Sequence, residues 1–304
     1  MAWQKTLGRA VTTEGVGIHR GEHVHLRLRP APVGTGIVFV RSDLGVAISA
    51  RAENTRDLAY ATTLAVRGVE VGTVEHLLAA LTGMGVTNVF VDIDGAEVPI
   101  LDGSALPFVQ LLQQAGVVDQ RVSLPEVRVH EAVRVGDGDR WVALEPASDL
   151  TVDYSVRYDS LAVGGQRFAG RLTPGRFASA IAPARTFGFL NEVAALRSKG
   201  LGKGGTLDNC VVVDGERILS GRLRFGDEFV RHKVLDLLGD LALLEYPLRA
   251  RVVAHKAGHA LHVAVVQELL AHPERWELVE PDRVAPFTVH PYFGELEASL
   301  ALAG

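Results

Sequence analysis

Apolar residues recur along the chain with two periods, and the change of period marks the elements. From Phe229 to Leu244, Val230, Val234, Leu237, Leu238, Leu241 and Leu244 form one stripe at about 100° per residue, which predicts a helix. Away from that stripe, His232, Asp236 and Asp240 stack at four-residue steps. Phe229, Leu235 and Leu243 flank this polar line, so the pattern predicts that it is partly covered, and a covered carboxylate needs a partner. The spacing alone leaves two readings open: a His–Asp hydrogen bond on a solvated face, or a pair of zinc ligands one turn apart.

The period falls to two at His23 to Arg29, where Val24, Leu26 and Leu28 alternate with polar residues and predict a strand with one buried face. A helix is predicted from Thr73, with Thr73 as its N-cap, then a strand from Asn88 to Ile93 and a helix from Ser104 to about Gln114; Pro99 and Gly103 punctuate the turn before it. After Pro125 the predicted strands are Val127 to Val135, Arg140 to Leu144 and Leu150 to Tyr158. They lead to the Phe229 helix, a strand from Leu248 to Ala254 and a helix from about Gly258 to His272. Each half thus runs strands, helix, strand, helix. The chain reads as a weak internal repeat of two domains, 1–122 and 123–304, with Gln120 to Pro125 as a short linker.

The second half carries an extra unit at about 187–218, with a predicted helix from Asn191 to Lys199, the glycine-rich Gly200 to Gly205 and a strand from Cys210 to Val213. Gly-Leu-Gly-Lys-Gly-Gly-Thr is not a phosphate-binding loop, because glycine follows the lysine and no strand enters directly. It reads instead as an excursion lying over a cleft.

Composition narrows the chemistry. A chain of 304 residues with 47% hydrophobic and 22% charged residues suits a soluble globular protein of two domains. A net charge of −5 with no lysine or arginine run gives no footprint for nucleic acid. The single cysteine, Cys210, forms neither an internal disulfide nor a thiolate cage, so a metal would be held by His, Asp or Glu, and a reducing cytoplasm is the expected compartment. The N-terminal residues lack the apolar core of a signal peptide, and no run approaches the roughly 18 apolar residues of a membrane span.

Glu75-His76 is the second constellation, and alone it is weak, since glutamate at a helix start simply suits the helix dipole. Its position in the repeat matches that of the His232 helix. If the halves pack face to face, His76, His232 and Asp236 converge. Two histidines and a carboxylate leave the fourth zinc position to water, with Glu75 free to take a proton. A third cluster, His255, His259 and His262, surrounds Gly258, which interrupts the helix, so His255 and His259 are not paired as metal ligands. His259 can donate a proton if a carboxylate keeps it charged, and Asp240 is the candidate. His255 and His262 read as hydrogen-bonded core or surface residues.

Together, Val-Arg-His232-Lys-Val-Leu-Asp236-Leu-Leu-Gly-Asp240-Leu, Thr-Val-Glu75-His76-Leu, Glu97-Val-Pro-Ile-Leu-Asp-Gly-Ser104, Ala184-Arg-Thr-Phe-Gly188 and Gly258-His259-Ala-Leu resemble the UDP-3-O-acyl-N-acetylglucosamine deacetylases of lipid A synthesis. Gln4-Lys-Thr-Leu and Gly15-Val-Gly-Ile-His19-Arg-Gly are similar to that family's start. The resemblance implies an α+β fold of two similar two-layer sandwich domains with the active site between them, and one catalytic Zn2+ on His76, His232 and Asp236. It implies Glu75 as general base, Thr186 with the zinc as oxyanion stabiliser, and His259 beside Asp240 as the acid for the leaving amine. Lys233 and Phe187 match positions that contact the nucleotide and sugar. The 187–218 unit corresponds to an insert that takes the substrate's acyl chain. Leu190, Val193, Ala194, Leu196 and Leu201 are candidates to line it, or else they pack the insert against the body.

The implied partner is a UDP-linked acylated amino sugar, with at most transient contact with a membrane surface. Ala61-Thr-Thr-Leu lacks a cysteine that some family members carry near the metal, and Pro273 to Gly304 carries no interpretable motif. A zinc amidohydrolase acting on another N-acyl sugar, and a non-catalytic sugar-nucleotide or acyl-chain binding module, stay open as alternatives.

Overall fold

Alternation along His23–Pro30 buries Val24, Leu26 and Leu28 and seats that strand inside a five-stranded sheet in a computed structural model that describes residues 3–280. The strand pairs antiparallel with Val11–Val16 and with Val89–Ile93, and the latter runs parallel to Ile37–Arg41. In the second half Leu248–His255 holds the place that Val89–Ile93 has in the first, antiparallel to Arg140–Pro146 and parallel to Thr151–Arg157 and Glu126–Val129. Both sheets are mixed and the helices gather beside them, which is an α+β arrangement.

Each half places a helix before and after its central strand: Glu75–Gly83 and Leu106–Ala115 around Val89–Ile93, Glu228–Leu241 and His259–Ala271 around Leu248–His255. The second pair lies over the second sheet, and the Glu75 helix packs against the Glu228 helix, so one apolar core runs from Leu26 through Leu78 and Val234 to Val252. The Phe229 helix is covered more fully than its pattern predicts, since the polar line His232, Asp236 and Asp240 is buried along with the apolar stripe. Two helices meet on that line instead of one helix meeting water.

The helices come together where a side chain is missing. A Cβ added to Gly239 would stand 2.1 Å from the carbonyl oxygen of Glu75 and 2.9 Å from its Cα. Backbone cannot swing aside as a side-chain end can. Gly239→Ala is therefore expected to cost about 1–3 kcal/mol, the range of core overpacking, read as a lower midpoint in urea denaturation; an unchanged midpoint would mean that the crossing has slack.

Three local readings change. Thr73 is not an N-cap: it sits at φ 54, the helix begins after Val74, and its hydroxyl is taken by the buried carboxylate of Glu97 at 2.9 Å. A cap needs extended backbone, which Thr73 lacks. Gln120 to Ser123 is no linker, because Val117–Ser123 pairs antiparallel with Trp3–Leu7. Val127 to Val135 is two strands, Glu126–Val129 and Val133–Asp137, bonded to different neighbours. Trp276–Val279 pairs with Glu126–Val129, which gives the start of the motif-free tail a structural role, while residues 281–304 of that tail lie outside the described residues. Among the described residues no helix is long and apolar enough to cross a membrane.

The insert forms its own three-stranded sheet, Phe187–Phe189 parallel to Val211–Asp214, which pairs with Arg217–Ile218. Its helix, Leu190–Ser198, buries none of its side chains.

Candidate active site

The helix crossing carries His76 from one half and His232 and Asp236 from the other into one buried cluster whose donor atoms all lie within 4.8 Å of one another. Asp236 Oδ1 lies 3.3 Å from Nε2 of His232 and 3.7 Å from Nε2 of His76. Bonds of about 2.0–2.1 Å in tetrahedral geometry space donor atoms roughly 3.4 Å apart, so the two spacings to Asp236 suit a shared metal ion. Asp236 Oδ1 is also buried with no hydrogen-bond partner, a cost that a cation would remove. Nδ1 of His232 donates to the carbonyl of Ala184 at 3.1 Å, which leaves the Nε2 lone pair facing the cluster. Burial, only partly offset by Asp236, lowers the His232 pKa to about 3, so the ring is neutral. Burial opposes the charge on Asp236, yet its polar surroundings, with the Lys233 ammonium at 2.6 Å, hold it well below the ordinary carboxylate range. A neutral imidazole and an ionised carboxylate are the ligand-competent forms.

Glu75 lies beside this set. Its Oε2 accepts the backbone N–H of Thr62 at 3.0 Å, and its Oε1 stands 4.0 Å from Nε2 of His259. Burial pushes its pKa up, partly offset by His259 and His76, which suits a carboxylate that must take up a proton. Opposite, Nδ1 of His259 donates to Oδ2 of Asp240 at 2.8 Å and its Nε2 faces the cluster, 3.9 Å from Asp236 Oδ2. Burial works against charge on His259, but Asp240, Glu75 and Asp236 outweigh it and raise its pKa to about 9. The pairing of His259 with Asp240 expected from the sequence is present. Gly258 stands just before the helix His259–Ala271, so His255 is outside that helix, and it turns away to Ser155, with 2.7 Å between Nδ1 and Oγ.

Several participants carried no signal that the sequence reading used. The Thr62 hydroxyl donates to Asp240 Oδ1 at 2.5 Å, so this one residue touches both the glutamate and the aspartate. His262, read as a core or surface residue, is buried in the same network, its Nδ1 donating to Asp240 Oδ2 at 2.8 Å. Burial keeps His262 below its ordinary pKa and hence neutral, and its Nε2 meets the Tyr154 hydroxyl at 2.9 Å. The three-residue step from His259 puts both imidazoles on one helix face and could have revealed it.

Thr186 is braced by its backbone, its N–H on the Gly103 carbonyl at 2.7 Å and its own carbonyl accepting from Val211 N–H at 2.8 Å. Its neighbour Arg185 forms a buried, two-point ion pair with Glu228 at the start of the His232 helix, so the Ala184–Thr186 stretch is fastened to the helix whose histidine it orients. Lys233 Nζ binds Asp236 Oδ2 at 2.6 Å and lies 5.7 Å from the Phe187 ring centre. Along the insert, Leu190 and Ala194 are exposed and Val193, Leu196 and Leu201 half-buried. Leu201 lines a cavity of about 320 Å3 with His19, Tyr60 and Lys203.

A proton acceptor and an imidazolium 4.0 Å apart, beside a donor set that could hold a metal ion, are means by which a hydrolase can split an amide with water, and hydrolase is the class these residues fit. Comparison with known proteins narrows the class. The model of the family described as LpxC, UDP-3-O-acyl N-acetylglycosamine deacetylase, matches residues 4–271. Proteins named UDP-3-O-acyl-N-acetylglucosamine deacetylase are similar over most of the chain. The one from Acidithiobacillus ferrooxidans is 45% identical over 294 residues, 95% of this chain and 97% of its own. The one from Myxococcus xanthus is 46% identical over 283 residues, 92% of this chain and 90% of its own. The chain belongs to the UDP-3-O-acyl-N-acetylglucosamine deacetylase family.

Proposed function

We propose that the protein removes the N-acetyl group of UDP-3-O-acyl-N-acetylglucosamine, releasing acetate and UDP-3-O-acyl-glucosamine, in the cytoplasm and as an early step of lipid A synthesis. The observation that carries this reading is the convergence, in one buried crossing of two helices, of a three-donor ligand set with an acid and a base on its flanks. Two domains, 1–122 and 123–304, each supply one of those helices.

His76, His232 and Asp236 hold one Zn2+, which when bound lowers the pKa of water and polarises a carbonyl. Glu75 takes the proton of the attacking water. Thr186 donates to the carbonyl oxygen as it gains charge, and His259, kept protonated on Asp240, gives its Nε2 proton to the departing amine so that the C–N bond breaks to acetate and a free amine. Lys233 and Phe187 hold the nucleotide and sugar, and the insert takes the acyl chain along Leu190, Val193, Ala194 and Leu201. The exposure of apolar side chains on the insert helix supports that last assignment. Contact with a membrane surface is transient.

The test is acetate release from UDP-N-acetylglucosamine with and without its 3-O-acyl chain. The acylated substrate is expected to have the higher kcat/KM by at least about tenfold, the equivalent of burying two methylenes. Equal rates on both would sink the assignment to the acylated sugar and favour another N-acyl sugar as substrate.

A further inference from the structure

Glu97 takes no part in the chemistry above, yet its buried carboxylate is surrounded by donors. Oε1 accepts the backbone N–H of His19 at 2.8 Å and the hydroxyl of Thr73 at 2.9 Å, and Oε2 accepts the N–H of Arg20 at 2.7 Å. The far ends of the same two peptide groups hold the insert. The carbonyl of Ile18 accepts the N–H of Gly204 at 3.0 Å, and the carbonyl of His19 accepts the N–H of Lys203 at 3.2 Å. Each peptide therefore bridges Glu97 to the insert. An anion on the N–H polarises the peptide and makes its carbonyl the stronger acceptor.

The seam leaves no room for variation. A Cβ at Gly17 would stand 2.3 Å from Glu97 Oε2, and one at Gly204 would stand 2.2 Å from the Gly17 carbonyl. On its other side Glu97 holds Thr73, two residues before Glu75, and the backbone there is locked by Gly72 N–H on Ala96 O at 2.9 Å and Val98 N–H on Gly72 O at 3.0 Å.

We propose that Glu97 is a positioning residue that ties the insert's Lys203–Gly204 turn to the start of the Glu75 helix, and so sets how the insert grips the substrate's 3-O-acyl chain relative to the reacting acetamide. The inference rests on the reading of the insert as the acyl-chain site. Glutamine at 97 keeps the shape but turns an amide N–H2 toward a backbone N–H, so a donor faces a donor and the charge is lost.

The experiment is steady-state kinetics of Glu97→Gln on UDP-N-acetylglucosamine with and without the acyl chain, beside the unaltered protein. On the acylated substrate kcat/KM is expected to fall about tenfold or more, mainly through KM, the size of a lost charged hydrogen bond, with less than about a twofold change on the unacylated one. Gly204→Ala strains the same seam from the insert side and is expected to reproduce that pattern; it decides the matter if Glu97→Gln does not fold. Equal losses on both substrates in the folded variants would overturn the inference and leave the proposed reaction standing. An unaltered protein indifferent to the acyl chain would overturn the reading beneath it.

Discussion

Replacing Glu75 with alanine is expected to lower kcat by about 10²–10⁴-fold, the usual share of a general base, while bound metal stays in place. The expectation follows from how the residue is held. Glu75 is buried at the start of its helix, anchored through Oε2 by the Thr62 N–H, with Oε1 toward His259. Burial pushes its pKa up, so it takes a proton more readily than a surface carboxylate. It is not part of the donor set, so metal content measured after dialysis should match that of the unaltered protein. A variant that kept nearly full rate would remove Glu75 from the role of base.

Asp236→Ala is expected to abolish activity and metal retention together. Asp236 Oδ1 lies 3.3 and 3.7 Å from the two histidine nitrogens, and its other oxygen neutralises Lys233. Without it two imidazoles remain beside a partly buried ammonium, a surrounding that repels a cation. Affinity should fall by more than the about 10–100-fold that accompanies loss of a group supporting a ligand. His76→Ala removes a donor without releasing Lys233 and should lose metal as well. Either variant retaining its full metal content in elemental analysis would break the triad.

How far the sequence foretold this site depended on chain distance. His232, Asp236 and Asp240 were legible because a helix turns spacing into direction, and Glu75-His76 became legible through the parallel order of the two halves. Thr62 was not, since its partner Asp240 lies 178 positions away and a loop has no period from which to read direction. Glu228 stands one residue outside the helix predicted from Phe229 and is the buried partner of Arg185, 43 positions away. Thr73 misled for a local reason: threonine before a helix suits a cap, and only the long-range pull of Glu97 reveals the left-handed backbone. Alternation reveals strands but not which strands pair, which is why Gln120 to Pro125 reads as a linker although Gln120 to Ser123 belongs to a strand.

The absence of a side chain at Gly239 has a consequence for how the molecule fails. With helix backbone against helix backbone at Glu75, the spacing between base and ligands is set by the same contact that closes the core. No rotamer can absorb a change there. Loosening that crossing therefore moves the base and the ligands together, so on heating activity is expected to be lost no later than the core melts.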